Sequence, residues 1–242
     1  MDSSLLEKKF WALRQDFAIF SGDQPLHYLD SAASSQAPTS VINAIADCYR
    51  HHYSPVHRGL YPSAELASEN YENSRQTLAH FINASSANTI VFTRSATEAI
   101  NLVAMGWAGQ HLQAGDEVCV SQMEHHSNFL PWQRVCAERG ATLVTIPFNE
   151  DMVISLENVA QAITRKTRLI AITQVSNVLG VINPIKEIIA HAKSLDIPVL
   201  VDAAQSIGHL PVDVQELDCD FLVASAHKMC GPTGIGLSLI HI

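Results

Sequence analysis

Charge is scarce in this chain, cysteines are few and unpaired in pattern, and long apolar runs are missing. Each shortage narrows what the protein can be. Charged residues make up 16% of the 242 residues, and the net charge of −9 comes with no run of lysine or arginine. That excludes the electrostatic footprint of a nucleic-acid binder. No apolar stretch reaches the roughly 18 residues a membrane span requires. The most apolar window, Leu195 to Ala204, is broken by Asp196, Pro198 and Asp202. The opening residues, with Asp2, Glu7, Lys8 and Lys9, are too charged for a signal peptide. The five cysteines, Cys48, Cys119, Cys136, Cys219 and Cys230, are an odd number without a C-x-x-C pair, which fits free thiols in a reducing compartment. Histidine is abundant, at 12 residues, but His51-His52 and His125-His126 are sequence neighbours without the i, i+4 spacing that puts two metal ligands on one helix face. The expectation is a soluble cytoplasmic protein with no metal, no nucleic-acid partner and no membrane partner.

What is present is 47% hydrophobic residues in a chain long enough to bury one sizeable core. Residues Ser4 to Phe17 carry Leu5, Leu6, Phe10, Leu13 and Phe17 at helical spacing and read as an amphipathic arm, broken at Gly22 to Pro25. A short strand is expected at Leu26 to Leu29, then helices from Pro38 to about Tyr53 and from Ser63 to Phe81. From Thr89 onward the pattern becomes strand, helix, strand, helix. Strands are expected at Thr89–Thr93, Glu117–Val120, Thr142–Ile146, Arg168–Thr173, Pro198–Val201 and Asp220–Ala224, with helices at Ala96–Ala108, Phe129–Arg139, Leu156–Ile163 and Pro184–Ser194. Such alternation implies right-handed crossovers and an α/β fold, a mostly parallel sheet with helices on both faces.

The residues that follow the strands carry the chemistry, because open α/β sheets bind ligands at the carboxyl ends of their strands. Lys228 comes just after the apolar run Phe221 to Ala224 and before the turn Gly231-Pro232-Thr233-Gly234. A lysine held there can act as an amine nucleophile, or it can be a surface lysine with a buried stem. Asp202 follows four apolar residues; it either meets a cation, such as a protonated ring nitrogen, or caps the next turn. Ser95 and Glu98 form an S-x-x-E capping box that starts a helix directly after a strand, where free N–H groups and the Thr97 hydroxyl can also seat a phosphate. His125 can stack on a flat ligand and move protons, or cap the following helix. Asn177 adds an amide to the same rim. Together the set suits pyridoxal 5'-phosphate, with lysine for the aldehyde, aspartate for the ring nitrogen, and hydroxyls with a helix start for the phosphate.

At this point a family resemblance is visible. The stretches Tyr28-Leu29-Asp30-Ser31-Ala32-Ala33, Val56-His57-Arg58-Gly59, Arg94 to Glu98, Glu124-His125-His126, Val175 to Gly180, Val201 to Gln205 and Ser225 to Lys228 with Gly231 to Gly236 resemble the class V aminotransferase group of fold-type I pyridoxal-phosphate enzymes. The resemblance is closest to cysteine desulfurases of the SufS and CsdA type. It implies that Lys228 holds the cofactor and shuttles the substrate's α-proton, that Asp202 keeps the ring nitrogen protonated, and that Gln205 bonds the ring oxygen. His125 would stack on the ring and serve in proton transfer. Thr97, Ser225, His227 and the backbone at Ala96 would hold the phosphate, and Asn177 would sit near the ring oxygen and substrate. His57 and Arg58 would lie at the mouth, in a homodimer contact. The implied reaction converts L-cysteine to L-alanine and passes sulfur, as an enzyme persulfide, to an acceptor protein for iron–sulfur cluster assembly. L-Selenocysteine is a related substrate, and selenocysteine lyase or another class V enzyme is the alternative activity.

The resemblance also divides the chain into an N-terminal helical arm (1–22), a cofactor-binding large domain (23–237) and a tail (238–242) expected to be non-native. The family's C-terminal small domain, with its sulfur-accepting cysteine and its carboxylate-gripping arginine, is not found among these residues. A non-catalytic fragment is therefore a further alternative. None of Cys48, Cys119, Cys136 or Cys219 falls on a motif position, and Cys230 stands where an aromatic residue is common.

Overall fold

The computed structural model describes residues 3–22 and 26–241, with side chains from Glu7 onward. The break expected at Gly22 to Pro25 thus lies largely outside the described residues, as does Ile242. The helices are α1 (Ser3–Arg14), α2 (Thr39–Asp47), α3 (Pro62–Phe81), α4 (Ala96–Leu102), α5 (Gly109–His111), α6 (Leu130–Arg139), α7 (Leu156–Ala162), α8 (Ile185–Lys193) and α9 (Val214–Leu217). The strands are β1 (Ile90–Thr93), β2 (Glu117–Ser121), β3 (Thr142–Ile146), β4 (Thr167–Thr173), β5 (Val199–Asp202), β6 (Phe221–Ser225) and β7 (Gly236–Ile240).

Seven strands form one sheet in the order β1-β7-β6-β5-β4-β2-β3. Strands β2 to β6 pair in parallel, while β7 runs antiparallel to both β6 and β1. Two antiparallel pairings in succession restore the direction, so β1 points the same way as β6 and ends on the same rim. Along each strand the side chains alternate between faces. Val118, Val120, Leu169, Ala171, Leu200, Phe221 and Val223 join one core with residues of α4 and α6. Cys119, Ile170, Ile172, Val199, Val201 and Leu222 join the other with residues of α3, α7, α8 and α9. Burial on both faces explains why these strands read as unbroken apolar runs. Each fully buried leucine, isoleucine or valine contributes about 1.5–3 kcal/mol.

Local signals place the ends of the elements. Pro62 opens α3, Pro131 sits in the first turn of α6, and α6 stops at Gly140, whose φ of 69° is the left-handed conformation glycine adopts cheaply. Ser155 and Asn158 cap α7 reciprocally.

Three expectations need correction. Leu26 to Leu29 is not a strand: Leu29 is 94% exposed, and the carbonyl of Leu26 takes its hydrogen bond from the Arg14 side chain at 2.6 Å rather than from a neighbouring strand. The sheet's edges belong to β1 and β3, which leaves this segment no partner. The helix expected from Ala96 to Ala108 is regular only to Leu102; Val103–Ala108 is a π-helical turn that contains Gly106, a wider winding typical of single insertions in α-helices. Finally, β7 continues through Ser238 and Leu239, both fully buried and paired to β1 and β6. The sheet therefore runs past the boundary expected at 237.

Candidate active site

Five of the strand ends contribute to one site. At the end of β1, Ser95 caps α4, its hydroxyl accepting the N–H of Glu98 at 3.2 Å. The reciprocal half of the expected capping box is absent: the Glu98 carboxylate accepts the N–H of Arg94 at 2.5 Å and pairs with the Arg94 guanidinium at 2.7 Å. Ala96 N–H instead donates to the Ser225 hydroxyl, 2.8 Å away on the end of β6. That contact depends on Gly236 of β7, which lies under the loop. A Cβ there would stand 2.3 Å from the Ser95 carbonyl carbon, so only glycine admits this approach.

Past β2, His125 caps a short turn through Nδ1, which accepts the N–H of Ser127 at 3.1 Å. His125 also lines the cavity described below, so the capping and the ligand-facing readings hold together. Thr173 at the end of β4 and Asn177 beyond it face the same space.

The end of β5 supplies Asp202, which is 4% exposed. Its Oδ1 accepts the N–H of Ala204 at 2.9 Å, the one hydrogen bond to the carboxylate among the described residues. Burial pushes the carboxyl pKa up, opposed by that N–H and by the charges of Lys228 and His125. Past β6, the turn Ala226–Lys228 carries the lysine. Loss of hydration lowers the Lys228 pKa, against the pull of Asp202, and loss of hydration followed by the Lys228 charge lowers that of His227. Both shifts enlarge the neutral fraction that can act as nucleophile or base.

The turn is tied down from across the chain. His227 O accepts from the N–H and hydroxyl of Ser35 at 2.8 and 2.9 Å, and the same hydroxyl accepts the N–H of Cys230 at 2.7 Å.

Ala96, Thr97, His125, Asn177, Asp202, Gln205, Ser225, His227 and Lys228, the nine residues that the sequence resemblance assigned to the cofactor, line one cavity of about 380 Å³. Sequence reasoning quoted Ala32 and Ala33 in a matching stretch but gave them no place in the site; they form part of the wall, held by a 2.7 Å hydrogen bond from the Gln205 amide to Ala32 O. It also gave no role to Glu124, which entered only as part of the matching stretch Glu124-His125-His126. His57 and Arg58 lie elsewhere, exposed, with His57 Nε2 3.0 Å from Glu72 of α3. Cys119, Cys136 and Cys219 are buried, and burial lifts their thiols to about 11, 11 and 12, which leaves them unreactive. Cys48 is exposed and Cys230 half-buried. Among the described residues, no three histidine, cysteine, aspartate or glutamate side chains converge as metal ligands, and no helix is long and apolar enough to cross a membrane.

A lysine and a buried aspartate meeting at adjacent strand ends agree with a match of residues 27–241 to the aminotransferase class-V family model. The chain belongs to the aminotransferase class-V family. It is 52% identical over 228 residues to a cysteine desulfurase of Shigella sonnei, covering 93% of this chain and 56% of that protein. Two solved cysteine desulfurases share the fold. CsdA from Escherichia coli superposes with a TM-score of 0.85 at 38% identity, over 95% of this chain and 57% of that one. The enzyme from Thermococcus onnurineus NA1, in its apo form, gives 0.88 at 38% identity, over 94% and 56%. The chain spans about half the length of the relatives it matches.

Proposed function

We propose that this class-V chain serves a pyridoxal-phosphate-dependent cysteine desulfurase and that the nine cavity residues hold the cofactor. The observation that carries the reading is the convergence of Lys228, Asp202 and His125 on one cavity with the Ala96–Ser225 contact at its far end. Pyridoxal 5'-phosphate, when bound, supplies an electron sink that makes the substrate's Cα–H acidic and its Cβ–S bond breakable. The donor set fits it. Lys228, its proton loosened by burial, has the free amine to capture an aldehyde and to move the α-proton at Nζ. Asp202 offers a buried carboxylate, with one oxygen bonded to Ala204, to a ring N–H⁺. Thr97 and the start of α4 offer a hydroxyl and a positive helix end to a phosphate.

In the balanced reaction, the Cβ–S bond of L-cysteine breaks, the carbon skeleton gains a proton as L-alanine, and the sulfur leaves as a persulfide on a thiolate. Neither a cysteine nor an arginine lines the cavity, so sulfur acceptance and the grip on the substrate carboxylate fall to groups outside it. Transfer of the sulfur to an acceptor protein for iron–sulfur assembly, a cytoplasmic setting and a homodimer complete the reading. Exposed Leu102, Met105 and Leu130 beside Thr97 and His125 suit a subunit contact.

The test is to add pyridoxal phosphate, reduce with borohydride and map the labelled peptide. The label is expected on Lys228 and absent from Lys228→Ala. Labelling at Lys186 or Lys193 instead would refute the reading.

A further inference from the structure

Glu124 does not line the cavity, yet its side chain turns inward and joins three elements. Its Oε1 accepts the N–H of Thr173 on β4 at 2.7 Å and contacts the hydroxyl of Ser121 at the end of β2. Its Oε2 accepts from the side-chain amide of Asn128, just before α6, at 2.6 Å. Asn128 is fully buried and has no choice of orientation. Its Oδ1 accepts the indole N–H of Trp132 at 2.9 Å, and Trp132 is also fully buried. An indole can only donate, so the asparagine oxygen must face Trp132 and its NH₂ must face Glu124. Both glutamate oxygens are thus required to accept, one from Asn128 and one from Thr173. A glutamine, however it is turned, sets an NH₂ against one of those donors. Ser121 is the one partner able to donate or accept, so the carboxyl can gain or lose a proton there without breaking the other two bonds. Thr173 pairs across the sheet with Asp202, and His125 is the next residue in the chain.

We propose that Glu124 is a positioning residue: by accepting at both oxygens it fastens the loop that bears His125 to the end of β4 beside Asp202, and so fixes where the His125 ring stands in the cavity. The inference rests on the proposed function only in taking the His125 ring to face bound pyridoxal phosphate. A buried donor left facing another donor costs about 1–3 kcal/mol, enough to shift a loop whose one direct hydrogen bond to β4 among the described residues is this one.

Two measurements on the 242-residue chain test it. The first is the His125 ring signal by NMR without cofactor, assigned with a His125→Asn variant. The second is affinity for pyridoxal phosphate from its absorbance. Glu124→Gln is expected to move the ring signal and weaken cofactor binding about tenfold, the equivalent of one lost buried hydrogen bond. Adding Asn128→Asp restores the match in reverse, since the new carboxylate accepts both from the glutamine amide introduced by Glu124→Gln and from Trp132; both readouts should then return toward wild type. An unchanged His125 signal and affinity in the single variant, or a folded double variant no closer to wild type than the single, overturns the proposal. If the single variant does not fold, the double variant is compared with wild type alone, and a double variant that also fails to fold counts against the proposal. A wild-type chain that binds no pyridoxal phosphate would sink the functional reading, while the NMR arm would still judge Glu124.

Discussion

The two ends of the parallel strands carry cavities of opposite character. At the amino ends of β4 and β5, Trp107, His111, Ile163, Arg165, Arg168 and Pro198 surround about 750 Å³, roughly twice the volume at the carboxyl ends. Size points to the first and chemistry to the second. Around the larger space Arg168 is already paired with Asp116 at 3.0 Å, and Trp107 is stacked on His111 at 4.7 Å. Around the smaller one, Lys228, Asp202 and His227 all have displaced pKa values and Asp202 keeps an oxygen uncommitted. The difference follows from direction. Parallel strands deliver their following loops, and the amino ends of the next helices, to a single rim. A site is marked there by groups left incomplete, and not by empty volume.

The comparison can be broken most strongly at Asp202. In the cofactor-loaded protein, Asp202→Asn should leave the fold intact and slow exchange of the L-cysteine α-proton with solvent by about 10²–10³-fold, the scale of removing one electrostatic contact from a reacting site. Normal exchange would remove Asp202 from its role. Gly236→Ala should act next. It forces the Ser95 loop away from β6, costs about 1–3 kcal/mol of stability as overpacking does, and weakens pyridoxal-phosphate binding together with it. Thermal melts and absorbance titrations would show whether the two losses coincide.

A third test is pH. Burial, with a smaller push from Asp202, raises the Glu124 carboxyl to about 8 from its ordinary value of 4.5, against the hydrogen bonds from Ser121, Asn128 and Thr173. The folded chain then holds this proton more tightly than the unfolded chain does. Its stabilising contribution is complete below about 4.5, shrinks as pH rises, and is gone above about 8. Denaturation midpoints followed from pH 5 to 8.5 should carry this decline in wild type and lack it in Glu124→Gln. The smallest effect is expected at the other rim. Arg168→Ala breaks a half-exposed ion pair worth about 0–1 kcal/mol, and Asp116 keeps the N–H of Gln113 at 2.9 Å. Cofactor affinity should not change; a loss there would show that the larger cavity is coupled to the smaller.

The sequence by itself determined the strands β1 to β6, the main helices between them and the residues at each strand end, but not β7. Those features are local: an apolar run and the polar residue that follows it are adjacent in the chain, so Asp202 after Val199–Val201 and Lys228 after Phe221–Ser225 are legible without a fold. It also misled locally. Leu26 to Leu29 has strand-like residues, but a strand needs a partner, and the sheet offered none. Tertiary structure alone decided that β7 lies between β1 and β6, which turns β1 toward the common rim and brings Ala96 within 2.8 Å of Ser225. It alone seated Ala32 on Gln205 and Ser35 beneath the Lys228 turn, and it alone turned Glu124 inward. These are pairings between atoms far apart in the chain, set by strand order and by the demand that buried donors and acceptors be matched, and no window of neighbouring residues contains both partners.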